Sequence, residues 1–282
     1  MPLVSTAELI TAAREAGLGI AAFNVITLEH AEAIAAAAEL TGRPAILQIS
    51  ENAVKFHGGR LAPIAAAAAA VAGSSDARLA LHLDHVESFD LLRAAHPAGF
   101  SSAMFDASKL SYGENVKATA EAARWAHEHG IWLEAELGKV GGKEGEAPLD
   151  AHTPGVRTDP AEAAAYVADT GVDALAVAVG SSHAMTERTA ALDHALISEL
   201  RAAVPVPLVL HGSSGVPDEE IRRAIAAGMV KINVGTALNT AFTGAVRAFL
   251  DAEPSAVDPR KYLAPAREAM AETVARFQRV VG

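Results

Sequence analysis

Short apolar runs alternate with alanine-rich helical segments along the whole chain. Runs of β-branched and aliphatic residues predict eight strands, at 20–25, 44–49, 78–84, 100–105, 131–136, 173–179, 206–210 and 229–234. Helical periodicity follows the strands, for example at 28–40, 113–128, 160–170 and 217–227. Strands that alternate with helices form parallel sheets, so the pattern predicts an α/β protein with a closed (β/α)8 barrel, the TIM-barrel fold.

Three segments fall outside the repeated unit. An extra helix is predicted before the first strand, and residues 258–281 predict a C-terminal amphipathic helix. The connection 138–158 is rich in glycine and charge, and its length is typical of an active-site lid or of a disordered segment. No linker divides the chain, so we expect residues 1–282 to form a single domain.

Polar residues stand at the predicted end of every strand. In a barrel of this type, the loops after the strands form the active-site face. The polar residues at this rim are Asn24, Ser50, Asp84, His85, Asp106, Glu136, His183, His211, Asn233 and Thr236. The sequence therefore predicts a polar site at the carboxyl ends of the strands.

Three of the rim residues are histidines from separate strands. His85, His183 and His211 follow strands 3, 6 and 7, and three imidazoles with one open position form a common catalytic metal site. His82 lies on the interior face of strand 3, one layer below Asp84, and is expected to be a buried structural residue. We therefore predict a divalent metal at the rim.

Two glycine-containing segments predict a phosphorylated ligand. HGSSG (211–215) and NVGT (233–236) each lead into a helix after strands 7 and 8. Free backbone N–H groups at helix N-termini bind phosphate, and barrels often bind phosphate at these two positions.

Charge and composition exclude several classes of protein. The net charge is −11 with no run of basic residues, so a nucleic-acid partner is not expected. There are no cysteines, which excludes disulfides and thiolate chemistry. The start of the chain lacks a signal-peptide pattern and the longest apolar run, 61–73, is too short to span a bilayer, so we expect a cytoplasmic protein without a membrane partner.

The motifs together resemble the class II (metal-dependent) fructose-bisphosphate/tagatose-bisphosphate aldolase family. The matching segments are AFN (22–24), LHLDH (81–85), EAELG (134–138) with GG-x-E (141–144), GSSH (180–183), LHGSSG (210–215), KINVGT (231–236) and DPRKYL (258–263). They occur in the family's order and spacing over almost the whole chain.

The resemblance implies a role for each motif residue. His85, His183 and His211 correspond to ligands of Zn²⁺ or another divalent metal, with Asp106 and Glu136 near an alternative or second metal site. Asp84 corresponds to the residue that moves a proton at the C4 hydroxyl, and Glu144 to a mobile catalytic glutamate. The implied substrate contacts are Gly212, Ser214, Asn233 and Thr236 at one phosphate, and Asn24, Ser50 and Arg260 at the other. The family also implies a monovalent cation, Na⁺ or K⁺, and a homodimer or homotetramer in which Arg260 acts across the subunit interface.

The implied reaction is reversible cleavage of fructose 1,6-bisphosphate or tagatose 1,6-bisphosphate into dihydroxyacetone phosphate and glyceraldehyde 3-phosphate. Two residues depart from the family pattern: Ala184 replaces a glycine after the second histidine, and Gly235 replaces an aspartate or alanine before Thr236. Alternatives are another phosphorylated ketose, such as an inositol-breakdown intermediate, a Schiff-base aldolase using Lys231, and a non-catalytic phosphosugar-binding barrel. Asp84 has the alternative role of supporting a histidine ligand, and the alternative for Glu144 is a charged residue on a solvated loop without a catalytic role.

Overall fold

The computed structural model describes residues 3–138, 140–141 and 156–282. Its strands are Ile20–Asn24 (β1), Ala45–Ser50 (β2), Leu79–Val86 (β3), Ser102–Phe105 (β4), Trp132–Leu137 (β5), Ala174–Val177 (β6), Leu208–Leu210 (β7) and Met229–Val234 (β8). All neighbouring pairs are parallel, and β1 pairs with both β2 and β8, which closes the barrel. The predicted (β/α)8 fold is therefore confirmed, with strand ends that differ from the prediction by a few residues.

Helices surround the barrel within the described ranges. They are Thr6–Ala16 (α1), Leu28–Thr41 (α2), Glu51–Phe56 (α3), Leu61–Ser74 (α4), Phe89–Ala95 (α5), Tyr112–Glu128 (α6), Pro160–Thr170 (α7), His194–Ala203 (α8), Asp218–Ala227 (α9), Thr236–Ala252 (α10) and Pro259–Val281 (α11). The predicted extra helix before β1 is α1, and the predicted C-terminal helix is α11. No helix in this part of the chain combines the length and apolar character needed to cross a membrane.

Alternation along the strands separates the outer core from the barrel interior. Leu79, Leu81 and Leu83 of β3 belong to the large apolar layer between sheet and helices. The residues between them face inward, and fully buried His82 donates or accepts a hydrogen bond with Ser102 Oγ at 2.8 Å. His82 is thus a buried interior residue, as the alternation predicts.

The amino ends of the strands are sealed by apolar packing. Leu9 and Ile10 of α1, each 1% exposed, join interior side chains of β1 and β2, namely Ile20, Ala22 and Ile46. Burial of an aliphatic side chain of this size contributes about 1.5–3 kcal/mol. This sealed end leaves the opposite, carboxyl end of the barrel as the face where polar groups gather.

Candidate metal centre and active-site cleft

Three imidazoles from distant parts of the chain meet at the carboxyl end of the barrel. His85, His183 and His211 each offer a ring nitrogen, and these nitrogens lie within 4.8 Å of one another. The ring centroids are 4.9 Å apart for His85 and His211, 5.2 Å for His85 and His183, and 5.6 Å for His183 and His211. Three imidazoles in this arrangement fit a catalytic divalent cation with one open coordination position.

A backbone irregularity lets β3 contribute two adjacent residues to the site. In a regular strand Asp84 and His85 would point to opposite faces of the sheet. Here the β3–β4 register shifts between Leu83 and Val86, and His85 has a left-handed backbone with φ 50°. As a result, Asp84 and His85 both line the cleft.

Buried carboxylates orient two of the imidazole rings. Asp106 Oδ2 lies 2.9 Å from His85 Nδ1, and Glu134 Oε1 lies 3.0 Å from His211 Nε2. Asp106 is itself held by Ser108, whose backbone N–H and hydroxyl both donate to Oδ1. A carboxylate can only accept hydrogen bonds, so these contacts assign protons to His85 Nδ1 and His211 Nε2. The opposite ring nitrogens are then the ones that would meet a cation.

The pKa values of both Asp84 and His85 are raised, but for different reasons. Burial alone would lower the pKa of His85, but the Asp84 carboxylate and the hydrogen bond donated to Asp106 outweigh burial and raise it to about 9. Burial raises the pKa of Asp84, and the neighbouring His85 opposes part of that rise. In the metal-free protein His85 is therefore protonated at neutral pH, and a metal must displace that proton to bind.

Glu136 lies behind the histidines rather than on the cleft wall. Its Oε2 is 3.4 Å from His211 Nδ1, and its side chain is fully buried. Together with Asp106, it gives the centre two carboxylates beside the three imidazoles. The structure thus brings together the five residues that the sequence predicts for the metal and its alternative position.

A cleft of about 600 Å³ opens beside the three histidines. Most of the predicted substrate-binding residues line it: Asn24, Ser50, Gly212, Ser214, Asn233 and Thr236. Ser214 Oγ accepts the backbone N–H of Ala237 in the first turn of α10, at 3.0 Å. This contact fixes the start of α10 against the segment that carries Gly212.

Two small residues on the cleft wall have left-handed backbone. Gly212 has φ 67°, and a Cβ there would lie 2.4 Å from the carbonyl oxygen of Ser182, so only glycine fits. Ala184 has φ 57° although it carries a Cβ. The family glycine that Ala184 replaces therefore corresponds to a position where the backbone does favour glycine.

One predicted site residue, Arg260, is not part of this cleft in its own chain. Arg260, at the start of α11, has an 88% exposed side chain that pairs with Asp258, 2.7 Å away. It lies outside the lining of the cleft in its own protomer. Glu144 lies outside the described residues, as does most of the connection 138–158. The described start of that connection contacts the site, because the backbone N–H of His183 donates to the carbonyl of Gly141 at 2.7 Å.

Several residues at the site were missed by the sequence prediction. Gln48 Nε2 donates to Asn24 Oδ1 at 2.6 Å and to Asp84 Oδ2 at 3.3 Å, so it orients the Asp84 carboxylate. Glu134 contacts His211 and pairs with Lys231 inside the barrel. The signal was available in the strand alternation, because Gln48 and Glu134 occupy interior-facing positions and a polar interior residue needs a partner.

Lysines on the rim of the cleft were missed as well. Lys55 and Lys109 line the cleft and pair with Glu51 at 2.9 Å and Glu87 at 2.6 Å, respectively. Both lysines lie in short segments just after strands, where sequence alone gives no sign of which way a long side chain turns.

Comparisons with known proteins match this chain over almost its whole length. The family model "Fructose-bisphosphate aldolase class-II" matches residues 4–282. The chain is 41% identical over 283 residues to the probable fructose-bisphosphate aldolase of Bacillus subtilis (strain 168), which covers 100% of this chain and 98% of that relative. It is 39% identical, with the same coverage, to the fructose-bisphosphate aldolase of Geobacillus stearothermophilus. The crystal structure of the YdjI aldolase from Escherichia coli K12 has a TM-score of 0.84 and 31% identity, covering 99% of this chain and 97% of that one. The chain therefore belongs to the class-II fructose-bisphosphate aldolase family, whose members are generally metal-dependent lyases.

Proposed function

We propose that this protein reversibly cleaves a ketose 1,6-bisphosphate into dihydroxyacetone phosphate and glyceraldehyde 3-phosphate. The observation that carries the proposal is the cluster of His85, His183 and His211 beside buried Asp84 in one cleft. We further propose that residues 1–282 act as a single catalytic domain.

The three histidines would hold Zn²⁺ or another divalent cation, with Asp106 and Glu136 near an alternative position. When bound, such a cation supplies Lewis acidity to a substrate carbonyl and stabilises the negative charge that develops when the adjacent C–C bond breaks. The donor set fits this role because it consists of three imidazoles, and those of His85 and His211 direct their second nitrogens to carboxylates.

Asp84 is proposed as the general base. In the cleavage direction its carboxylate would accept the proton of the C4 hydroxyl, so that C4 becomes the aldehyde carbon as the C3–C4 bond breaks. Its raised pKa brings the group closer to neutral pH, which favours accepting and returning a proton. Gln48, which donates to Asp84 Oδ2 at 3.3 Å, would hold the carboxylate in place. The proton on C3 is assigned to Glu144 by resemblance.

The two ends of the substrate would be held by different parts of the cleft. Gly212, Ser214, Asn233 and Thr236 would bind the phosphate of the dihydroxyacetone half, because they surround the start of α10, where backbone N–H groups attract anions. Asn24 and Ser50 would contact the other half. Arg260 would reach the second phosphate only from another copy of the chain, since it lies outside the cleft of its own protomer. We therefore propose a homodimer or homotetramer.

Fructose 1,6-bisphosphate is the first substrate to test, because the two relatives carry that name. Tagatose 1,6-bisphosphate differs from it only in the configuration at C4. Gly235 lines the cleft, and a Cβ there would lie 3.1 Å from Asn24 Cγ. Replacing Gly235 with alanine or aspartate would displace the Asn24 side chain. The ratio of activity on fructose 1,6-bisphosphate to activity on tagatose 1,6-bisphosphate should therefore change.

The Schiff-base alternative is disfavoured by the surroundings of Lys231. Its Nζ is fully buried and lies 2.7 Å from Glu134 Oε2, and the residue is not part of the cleft lining. A Schiff base requires a neutral amine that reaches the substrate carbonyl.

The proposed function is tested by assaying a panel of ketose phosphates before and after treatment with EDTA. We expect cleavage of a ketose 1,6-bisphosphate, its loss with EDTA, and its return with Zn²⁺ or Co²⁺. Activity that resists EDTA and yields a borohydride-trapped substrate adduct would support the Schiff-base mechanism instead. A metal-loaded protein that cleaves none of the panel would contradict catalysis.

A further inference from the structure

A buried ion pair lies inside the barrel, below the cleft. Lys231 of β8 and Glu134 of β5 are both fully buried, and Nζ lies 2.7 Å from Oε2. Neither residue lines the cleft, so neither can touch the substrate from these positions. A fully buried ion pair is a poor source of stability, since the cost of removing both charges from water offsets much of their attraction. A role in stability alone therefore does not account for this pair.

The second oxygen of Glu134 is directed at a metal ligand. Oε1 lies 3.0 Å from His211 Nε2, while Oε2 is taken by Lys231. An ionised carboxylate accepts but does not donate, so the proton of a neutral His211 ring belongs on Nε2. Glu136 Oε2 lies 3.4 Å from Nδ1, a longer contact than the 3.0 Å hydrogen bond between Glu134 and Nε2, so the proton is placed on Nε2 and Nδ1 carries the lone pair. The contact with Glu134 thus selects one of two tautomers of the ring.

Lys231 is itself fixed from a second direction. Its Nζ lies 3.4 Å from His82 Nε2, and His82 Nδ1 lies 2.8 Å from Ser102 Oγ. Ser102 in turn donates to Thr6 Oγ1 at 2.7 Å. Burial, with the Lys231 charge adding to its effect, lowers the pKa of His82, so His82 stays neutral and can accept from the ammonium. The chain of contacts holds the ammonium in one place, and through it the Glu134 carboxylate.

We infer that Lys231, acting through Glu134, positions His211 so that Nδ1 rather than Nε2 meets the catalytic cation. Lys231 and Glu134 are positioning residues in this scheme, because they touch a ligand and not the substrate. The inference rests on the proposed function, in which His211 is a metal ligand.

The tautomer can be tested in the unmodified protein. In the metal-free protein labelled with ¹⁵N-histidine, long-range ¹⁵N–¹H correlation spectra distinguish the Nε2–H from the Nδ1–H form, and His211→Ala identifies the signal. We expect the Nε2–H form for His211. An Nδ1–H signal would overturn the inference without any change to the chain.

The role of the pair is tested by removing both charges together in the double variant Lys231→Met/Glu134→Leu. Replacing both partners with apolar residues avoids leaving one buried charge alone, and such replacements often preserve stability. We expect a thermal midpoint close to that of the wild type, a His211 ring that populates both tautomers, and Zn²⁺ affinity reduced about 10- to 100-fold.

The matched control is Tyr166→Phe, which removes buried hydrogen bonds to Asn115 (2.7 Å) and Thr119 (3.0 Å) between α6 and α7. We expect it to lower the thermal midpoint and leave Zn²⁺ affinity unchanged. Wild-type Zn²⁺ affinity in a folded double variant would overturn the inference about Lys231 and Glu134 but leave the proposed function intact. A wild-type protein that takes up no Zn²⁺, Co²⁺ or Mn²⁺ would instead overturn the proposed function.

Discussion

The two ends of the barrel differ in the polarity of the side chains that fill them. At the amino ends of the strands, α1 packs Leu9 and Ile10 against aliphatic side chains. At the carboxyl ends, the interior is filled by imidazoles, carboxylates and amides. The backbone differs as well, because the two non-glycine residues with positive φ among those described, His85 and Ala184, both lie on the cleft.

The difference shows that backbone strain in the described residues with a Cβ is located at the cleft. Left-handed backbone costs about 1–2 kcal/mol for a residue with a Cβ, and such residues persist only where the surrounding packing enforces them. The sealed end and the helix layer contribute stability through apolar burial instead. Changes at one end should therefore affect chemistry, and changes at the other should affect stability.

The largest expected effect follows from His211→Ala at the cleft end. Loss of one imidazole leaves an incomplete metal centre, so metal content measured by elemental analysis and aldolase turnover should both fall to background. The variant should remain folded by circular dichroism. Retained metal and turnover would remove His211 from the centre.

Asp84→Asn should separate metal binding from proton transfer. The amide keeps the shape of the side chain but cannot accept the hydroxyl proton, so kcat should fall by about 10²- to 10⁴-fold. Metal content should stay at the wild-type level, which distinguishes this variant from His211→Ala. If Asp84 only supports a histidine ligand, metal content and kcat would fall together.

Leu9→Ala at the sealed end should produce the opposite pattern. The side chain is 1% exposed, and truncation of a buried leucine costs about 2–5 kcal/mol of unfolding free energy. Urea denaturation should detect this loss, while KM and metal affinity measured well below the transition remain unchanged. Altered metal affinity in the folded variant would show that the two ends are coupled.

Metal affinity should rise with pH. The pKa of His85 in the metal-free protein is raised from its ordinary value of 6.5 to about 9. Protonation of His85 therefore stabilises the metal-free fold fully below pH 6.5, and this stabilisation is lost as the pH rises through 9. A cation competes with this proton, and its apparent affinity should increase up to about tenfold between pH 7 and 8. Calorimetric titration in two buffers should detect about one proton released per metal bound. A pH-independent affinity would contradict the protonated state of His85.

The smallest effect is expected for Ala184→Gly. Glycine relieves the left-handed strain at φ 57° but increases the freedom of the unfolded chain, so the net gain is about 0.5–1 kcal/mol. Urea denaturation would measure it. The matched change Ala178→Gly, at a buried position with no positive φ, should destabilise instead.

Much of the fold could be predicted from local patterns. The apolar runs predicted all eight strands because a barrel strand is short, buried and bounded by turns. The polar residues at the rim could then be predicted from the position of each strand end. The three histidines could be gathered by the same argument, since all carboxyl ends meet on one face.

The features of the site that could not be predicted depend on contacts between residues far apart in the sequence. The bulge at His85 is defined by the register between β3 and β4, and the Glu134–Lys231 pair joins strands that are 97 residues apart in sequence. In the sequence Gln48 is a single polar residue in an apolar strand, and its role becomes visible only from its contacts with Asn24 and Asp84. Arg260 matches a motif, but the motif does not show whether its side chain enters the cleft of its own chain.

The irregularity in β3 has one more consequence. Because Asp84 and His85 are joined by a single peptide bond, covalent geometry limits how far the proposed base can move from the proposed cation. Within that limit, the register shift between Leu83 and Val86 and the left-handed backbone of His85 turn both side chains toward one cleft. A change that restored a regular β3 strand would therefore separate the base from the cation while leaving both residues in the sequence.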